Sequence, residues 1–379
     1  MEKIPNRWAL FEYSTKNMGD DIQSIAAKRF LPQVDYYINR DRIGSYSVPC
    51  DEPVGIIANG WYMNAPRRWP PSDPLLQPLL VSIHLHTKSQ RTTDVLSEPA
   101  SLDYFRRFGP VGARDISTME FLRNHDVESW LSGCLTLTLN PDPRVNKEEY
   151  VLAVDLPADA VAALRSRTDR PVIEVSPFHY VTLTRPERTQ LAEFLLMLYQ
   201  SAHCVVSSRL HAALPCLALG TPVLVLMNEK LQDGRLDGLS ELVTKATNGD
   251  LLSDSNLNYD VDNPPANPDS YKDMRSRLES RVKEYTGYDG ADLGATYLST
   301  DPSKLITDPV FLSVIGKFLS ASAPSVKQAR AMAIQEQQQS RLTKQLARGL
   351  ARLARGLRRR ILGTSKVNHM PSPVKEENE

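Results

Sequence analysis

Short apolar runs of strand length alternate with stretches of helical period along most of this chain. WALFEY (8–13) predicts a strand, and DDIQSIAAKRFL (20–31) predicts a helix, with Ile22, Ile25, Ala26 and Phe30 on one face and Pro32 closing it. Between them, STKNMGD makes a short loop containing Gly19. PVGIIANGWYM (53–63) and PLLVSIHLH (78–86) read as strands. PVGARDISTMEFLRNH (110–125) reads as a strand end and a helix capped near Asp115 or Ser117, and SWLSGCLTLTL (129–139) as another strand. The two prolines of NPDPR (140–144) mark a joint.

The alternation then restarts. EYVLAVDLP (149–157), PVIEVSPF, HCVVSS and PVLVLM predict strands. ADAVAALRSR, PERTQLAEFLLMLYQSA (186–202) and RLHAALPCLALG predict the helices between them. A βαβ succession implies an α/β fold with mostly parallel sheets covered on both faces. Two such stretches predict two Rossmann-like domains facing across a cleft, over 1–140 and 141–325. Residues 253–270, polar and proline-rich, read as a surface loop, and helices are expected over 270–285 and 302–322.

Composition adds three points. Hydrophobic residues make up 41 % of the chain, enough for a sizeable core, and mean hydropathy is −0.35. No apolar run approaches the roughly 20 residues that span a bilayer, and the first 30 residues carry no signal-peptide core, so a cytoplasmic protein is expected. Cys50, Cys134, Cys204 and Cys216 form no CxxC pair, which points to plain thiols.

The net charge of zero hides an asymmetry. Residues 341–360 carry eight basic residues and no acid, leaving the remainder mildly acidic. Leu342, Leu346, Leu350, Leu353, Leu357 and Ile361 form a stripe opposite the arginines, so 326–379 predicts a C-terminal basic amphipathic helix and a polar end. Such a helix suits an anionic membrane surface through 341–361, or packing on the body or a partner helix. Nucleic acid fits less well, because stacking aromatics are missing from the stretch.

Four stretches combine polar chemistry with strand ends, where α/β sheets bind ligands. In NMGDD, Asn17, Gly19 and Asp20 sit at a helix N-terminus that suits an anion, or form a turn and cap. In GARDISTMEFL, Arg114 can fork onto a phosphate or carboxylate, or pair with Asp115. In SPFHY, His179 follows a strand. In SSRLHAALPCLALGTPVLVL, Ser208, Arg209 and His211 precede a dry helix and strand. A buried charge costs several kcal/mol without a partner, so an anionic ligand or an acidic side chain is expected near Arg209. His84 and His86 of IHLHT share a strand face but have no third metal ligand nearby in sequence; no metal site is expected.

Together these motifs resemble the polysaccharide pyruvyl transferase family over roughly residues 8–228, most specifically in SRLHAALPCLALGTPV. Thr118 stands where that family often has serine. The resemblance implies a GT-B-like pair of domains and transfer of the enolpyruvyl group of phosphoenolpyruvate onto two sugar hydroxyls, with no further cofactor. It implies donor binding by Arg209, Arg114 and Ser208, acid–base roles for His211, His179 and Asp20, and an acceptor loop at Asn17 and Gly19. The acceptor would be a glycan, lipid-linked if the tail meets the inner face of the membrane. Two alternatives remain at this point: a GT-B glycosyltransferase using a nucleotide sugar, and a non-catalytic glycan-binding or assembly protein.

Overall fold

The computed structural model describes residues 4–62, 69–179, 182–227, 237–253, 257–288, 296–305, 307–309, 311–313 and 315. The expected basic helix at 341–361 lies outside the described residues, as does part of the helix expected over 302–322.

Two parallel sheets organise the chain, which makes it an α/β fold. The first contains β1 (Arg7–Glu12), β2 (Tyr36–Asn39), β3 (Val54–Tyr62), β4 (Leu76–Leu85), β5 (Val111–Ala113) and β6 (Ser129–Leu131), in the order β2-β1-β3-β4-β5-β6. The second contains β7 (Val151–Val154), β8 (Val172–Val175), β9 (Cys204–Ser207), β10 (Val223–Met227) and β11 (Thr244–Thr247), in the order β11-β10-β9-β7-β8. Counted from its own first strand, the first sheet runs 2-1-3-4-5-6 and the second 2-1-3-4-5. The strand order therefore reverses between β1 and β3 in one sheet and between β7 and β9 in the other. Loops leaving adjacent strands at such a reversal diverge to opposite faces and open a crevice at the carboxyl ends.

The helices are α1 (Met18–Lys28), α2 (Gln90–Leu96), α3 (Pro99–Arg107), α4 (Ile116–Arg123), α5 (Ala158–Arg165), α6 (Arg185–Ser201), α7 (Leu210–Leu219), α8 (Asn248–Leu252), α9 (Tyr271–Thr286) and α10 (Pro302–Leu305). Strand alternation sends Trp8 and Leu10 of β1 to one core and Ala9 and Phe11 to another. The first of these cores also contains Ile22 of α1, Leu195 of α6 and Leu214 of α7, all fully buried, so one continuous apolar layer joins the halves. Each such leucine contributes about 1.5–3 kcal/mol of burial. Late in the chain, α9 returns to the first sheet. There the Tyr285 hydroxyl receives the Ile56 N–H at 3.1 Å and donates to the Gln77 carbonyl.

Local sequence misleads in two places. SWLSGCLTLTL is a strand only to Leu131. The chain then turns at Gly133 (φ +68°) and Leu135–Thr138 winds into a 3-10 turn. Leu135, Thr136, Leu137 and Thr138 are all fully buried, between α1, α7 and α9. A segment enclosed on all sides needs no strand alternation, so the Leu–Thr repeat is not a sheet signal there. Within 253–270, Tyr259 and Val261 are buried in the core beneath the second sheet, so this loop is partly an internal plug. The short strands β2 and β11 and the helices α2, α3 and α8 carry too few apolar positions to stand out in the sequence.

A buried ion pair secures the start of α1. Arg40 Nη1 donates to Asp20 Oδ1 at 3.0 Å, with the two side chains 1 % and 7 % exposed, and the Thr15 hydroxyl donates to Asp20 Oδ2 at 2.6 Å. Removing one member strands the other's charge, a loss of about 3–5 kcal/mol in such settings. Arg40→Ala is expected to lower the unfolding free energy by that order, read as a fall in urea midpoint at unchanged slope. A loss below about 1 kcal/mol would put the pair among surface bridges.

Candidate functional site

The loop after β1 and the loop after β8 are stitched together. Met18 N–H donates to the Pro177 carbonyl at 2.8 Å and His179 N–H to the Lys16 carbonyl at 3.0 Å, around an antiparallel bridge of Asn17 with Phe178. Asn17 is the N-cap of α1, its side chain accepting from Gly19 N–H at 3.0 Å. Gly19 is a close-approach position: a Cβ there would lie 2.8 Å from both Cβ and Nδ1 of His211. His211, from the second half, thus rests on the first turn of α1, from the first half.

Arg209 is the N-cap of α7. It pairs through Nε and Nη2 with Asp155 Oδ2, and its guanidinium lies over the Phe178 ring, 4.8 Å from the centroid. Asp155 is the acidic partner that a cation here requires. It follows β7 with a left-handed backbone (φ +55°), while Arg209 follows β9, so the pair straddles the order reversal of the second sheet. Ser208 Oγ donates to the Asp155 carbonyl at 2.8 Å, and Ser207 Oγ receives the Arg209 N–H at 2.9 Å. An acid ending the buried run LAVD was the available sequence signal for Asp155.

His179 belongs to a neighbouring buried cluster. Arg188 Nη1 donates to its Nε2 at 2.7 Å, and Arg188 forks onto Asp21 at 2.9 and 2.6 Å. A guanidinium only donates, so His179 Nε2 is the acceptor of this contact. Burial, reinforced by Asp20, pushes the Asp21 carboxyl up to about 6 against the pull of Arg188. Asp20 itself is engaged by Arg40 and Thr15, as described above. Its carboxylate anchors α1, which is not the arrangement expected of a proton acceptor facing substrate.

Arg114 is grouped with His84 and Asp115. His84 Nδ1 meets Asp115 Oδ2 at 2.6 Å, and Arg114 Nε lies 3.7 Å from the same oxygen. Arg114, His84 and Asp115 are buried at the carboxyl ends of β4 and β5. Asp115 caps α4, and the Thr118 hydroxyl donates to it at 2.7 Å while receiving the Leu85 N–H at 3.0 Å. Thr118 therefore supplies the hydroxyl a serine would. This dyad was missed in sequence because His84 and Asp115 are thirty-one residues apart. Among the described residues, no set of three or more His, Cys, Asp and Glu side chains is arranged to hold a metal, and no helix is long and apolar enough to cross a membrane.

Burial would raise the Asp115 carboxyl, but the His84 hydrogen bond, the charges of His84 and Arg114, and Thr118 together hold it below the ordinary carboxylate range. A depressed folded-state pKa stabilises above the unfolded value of about 3.9 and loses that contribution as pH falls through the folded value. Urea midpoints should therefore drop from pH 5 to pH 3, and drop less in Asp115→Asn. Equal drops would remove Asp115 from the acid-sensitive set.

Three solved structures are similar to this chain at a low level. An uncharacterized protein of Klebsiella pneumoniae is 14 % identical, with 64 % of this chain and 93 % of that one covered at a TM-score of 0.34. The glycosyltransferase SnogD of Streptomyces nogalater is 11 % identical, with 74 % and 95 % covered at 0.31. The heptosyltransferase WaaC of E. coli, with ADP, is 11 % identical, with 73 % and 99 % covered at 0.29. No curated protein matches the chain. Residues 17–230, more than half of the chain, match the family described as polysaccharide pyruvyl transferase. The chain belongs to the polysaccharide pyruvyl transferase family.

Proposed function

We propose that the protein moves the enolpyruvyl group of phosphoenolpyruvate onto two hydroxyls of one sugar, giving a pyruvate ketal and phosphate. Family membership supports a polysaccharide-modifying transferase. The observation that carries the finer reading is the meeting of the two order reversals. Arg209 and Asp155 stand at one, Asn17 and Gly19 at the other, and His211 bridges them.

The donor brings a phosphate and a carboxylate. Arg209 is 30 % exposed on its side chain, so an anion can reach it. The N-terminus of α7 favours the same charge, and Ser208 adds a hydroxyl. In this reading the halves act as a GT-B-like pair, the second holding donor and the first acceptor. A proton from His211 goes to the enol methylene carbon, and a sugar hydroxyl oxygen bonds to the adjacent carbon. The C–O bond to phosphate breaks and the second hydroxyl closes the ketal; one hydroxyl proton returns to His211 and the other leaves with the phosphate. His211 suits the proton transfer because imidazole titrates near neutral pH. Arg114, Asp20 and His179 act from beneath: Arg114 supports the His84–Asp115 pair, Asp20 fixes α1, and His179 fixes the loop before α6. The reaction needs no other cofactor.

The basic stripe at 341–361 would hold the enzyme at the inner face of an anionic membrane, beside a lipid-linked acceptor. In the full chain, Arg358→Glu, Arg359→Glu and Arg360→Glu together should reduce co-sedimentation with phosphatidylglycerol vesicles. Unchanged binding would remove the membrane role.

Phosphate release from phosphoenolpyruvate, measured with bacterial glycan acceptors, tests the reaction. Arg209→Ala is expected to lose on the order of 10²-fold or more. Gly19→Ala should lose at least about tenfold, because the new Cβ displaces His211, the proton donor of the proposed step. A fully active Arg209→Ala protein, or turnover of UDP-sugars in place of phosphoenolpyruvate, would overturn the reading.

A further inference from the structure

We propose that Trp61 is the stacking platform for the acceptor sugar, with His86 forming its polar rim. The assignment rests on the chain being a sugar-modifying transferase and names the part of the site that holds the sugar.

Trp61 lies at the carboxyl end of β3, beside the β1–β3 reversal, where a ligand of the first sheet belongs. It is in register with His84 of β4, and His86 lies two residues further along the same face. The indole is flanked by both imidazoles, with ring centroids 6.1 Å from His84 and 5.9 Å from His86. Trp61 and His86 are partly exposed, whereas His84 is buried beside them and tied to Asp115. The buried dyad thus fixes one imidazole against the indole.

The backbone is distorted just before these residues. The β3–β4 register shifts between Ala58 and Gly60, with Gly60 at φ +118°, a conformation that favours glycine. On β4, Ser82 is left-handed at φ +54°. Bulges re-aim the side chains that follow them. Both distortions are pinned, by Asn59 Nδ2 donating to the Gln23 carbonyl at 3.1 Å and by Ser82 N–H donating to Ser132 Oγ at 3.1 Å. Gln23 lies one turn along α1 from Gly19, its Nε2 donating to the Gly19 carbonyl at 3.3 Å, and Gly19 packs on His211. One turn of α1 therefore links the Trp61 strand end to the proposed proton donor.

The chemistry selects a pyranose. One face of such a ring is a patch of C–H bonds, which match the negative face of an indole, and its edge is a ring of hydroxyls that imidazoles can hydrogen-bond. A second candidate surface is a groove of about 170 Å³ beside Asp21 and Arg188, lined by Tyr37. There Arg185 already covers the Tyr37 ring at 3.5 Å, leaving no face for a sugar.

The test is binding of the full chain to an array of immobilised pyranosides, with a thermal shift by phosphoenolpyruvate as a separate readout. Trp61→Ala should lose at least tenfold of the wild-type glycan signal and keep the phosphoenolpyruvate shift, with Trp61→Phe intermediate and His86→Ala weakened. If Trp61→Ala fails to fold, weakened binding by folded Trp61→Phe supports the assignment. Wild-type glycan binding by folded Trp61→Ala, or by Trp61→Phe where the alanine variant does not fold, would overturn it, as would a wild-type protein that retains no pyranoside. Loss of the glycan signal in Trp61→Ala without any wild-type response to phosphoenolpyruvate would uphold the platform and sink the donor reading.

Discussion

The pair of backbone hydrogen bonds between residues 16–18 and 177–179 is the constraint on which the candidate site depends. It joins the loop leaving β1 to the loop leaving β8, so a strand-end loop of the first sheet is fixed against one of the second. With that stitch made, α1 lies against α6 and α7 in a shared apolar layer. Gly19 then meets His211 with no room for a side chain. A hydrogen bond between buried amides is worth only about 0.5–1.5 kcal/mol net, but leaving either partner unmade costs more. The stitch is therefore a matter of position first and stability second.

Three arginine–aspartate pairs surround this junction, and their exposure separates their tasks. Arg40–Asp20 and Arg188–Asp21 are nearly dry, with arginine side chains 1 % and 8 % exposed. Ions so enclosed stay together, because either one alone would bear an unpaid desolvation penalty. Arg209–Asp155 is different: the arginine is 30 % exposed and leans on the Phe178 ring. Here the exposure belongs to the arginine, since Asp155 is itself only 10 % exposed. The same contrast holds in the first half, where the buried His84–Asp115 pair supports the partly exposed Trp61.

Much of the fold was legible. Periodicity located β1, α1, β7, α6, β9, α7 and β10, since each buries a face whose spacing shows in the sequence. Gly19 stood out as a glycine in the loop between a strand and a helix, and Arg209 and His211 as polar residues preceding a dry helix. The failures have a common cause. Leu135–Thr138 looked like a strand because its burial comes from α1, α7 and α9, none of them its sequence neighbours. The dyad of His84 with Asp115, and the pairing of Arg209 with Asp155, join residues far apart in the chain.

The sequence by itself determined the α/β alternation, the two sheets and the motif that places a cation and an imidazole at the mouth of α7. These follow from local period, capping and strand-end position, all properties of neighbouring residues. Only the tertiary structure decided what each polar group does. It set Asp20 to anchor α1 through Arg40, His179 to accept from Arg188, Arg209 to hold Asp155, and Trp61 to lie beside His84. The reason is that an ion or a ring is defined by its partner, and here the partners arrive from other strands and from the other half of the molecule.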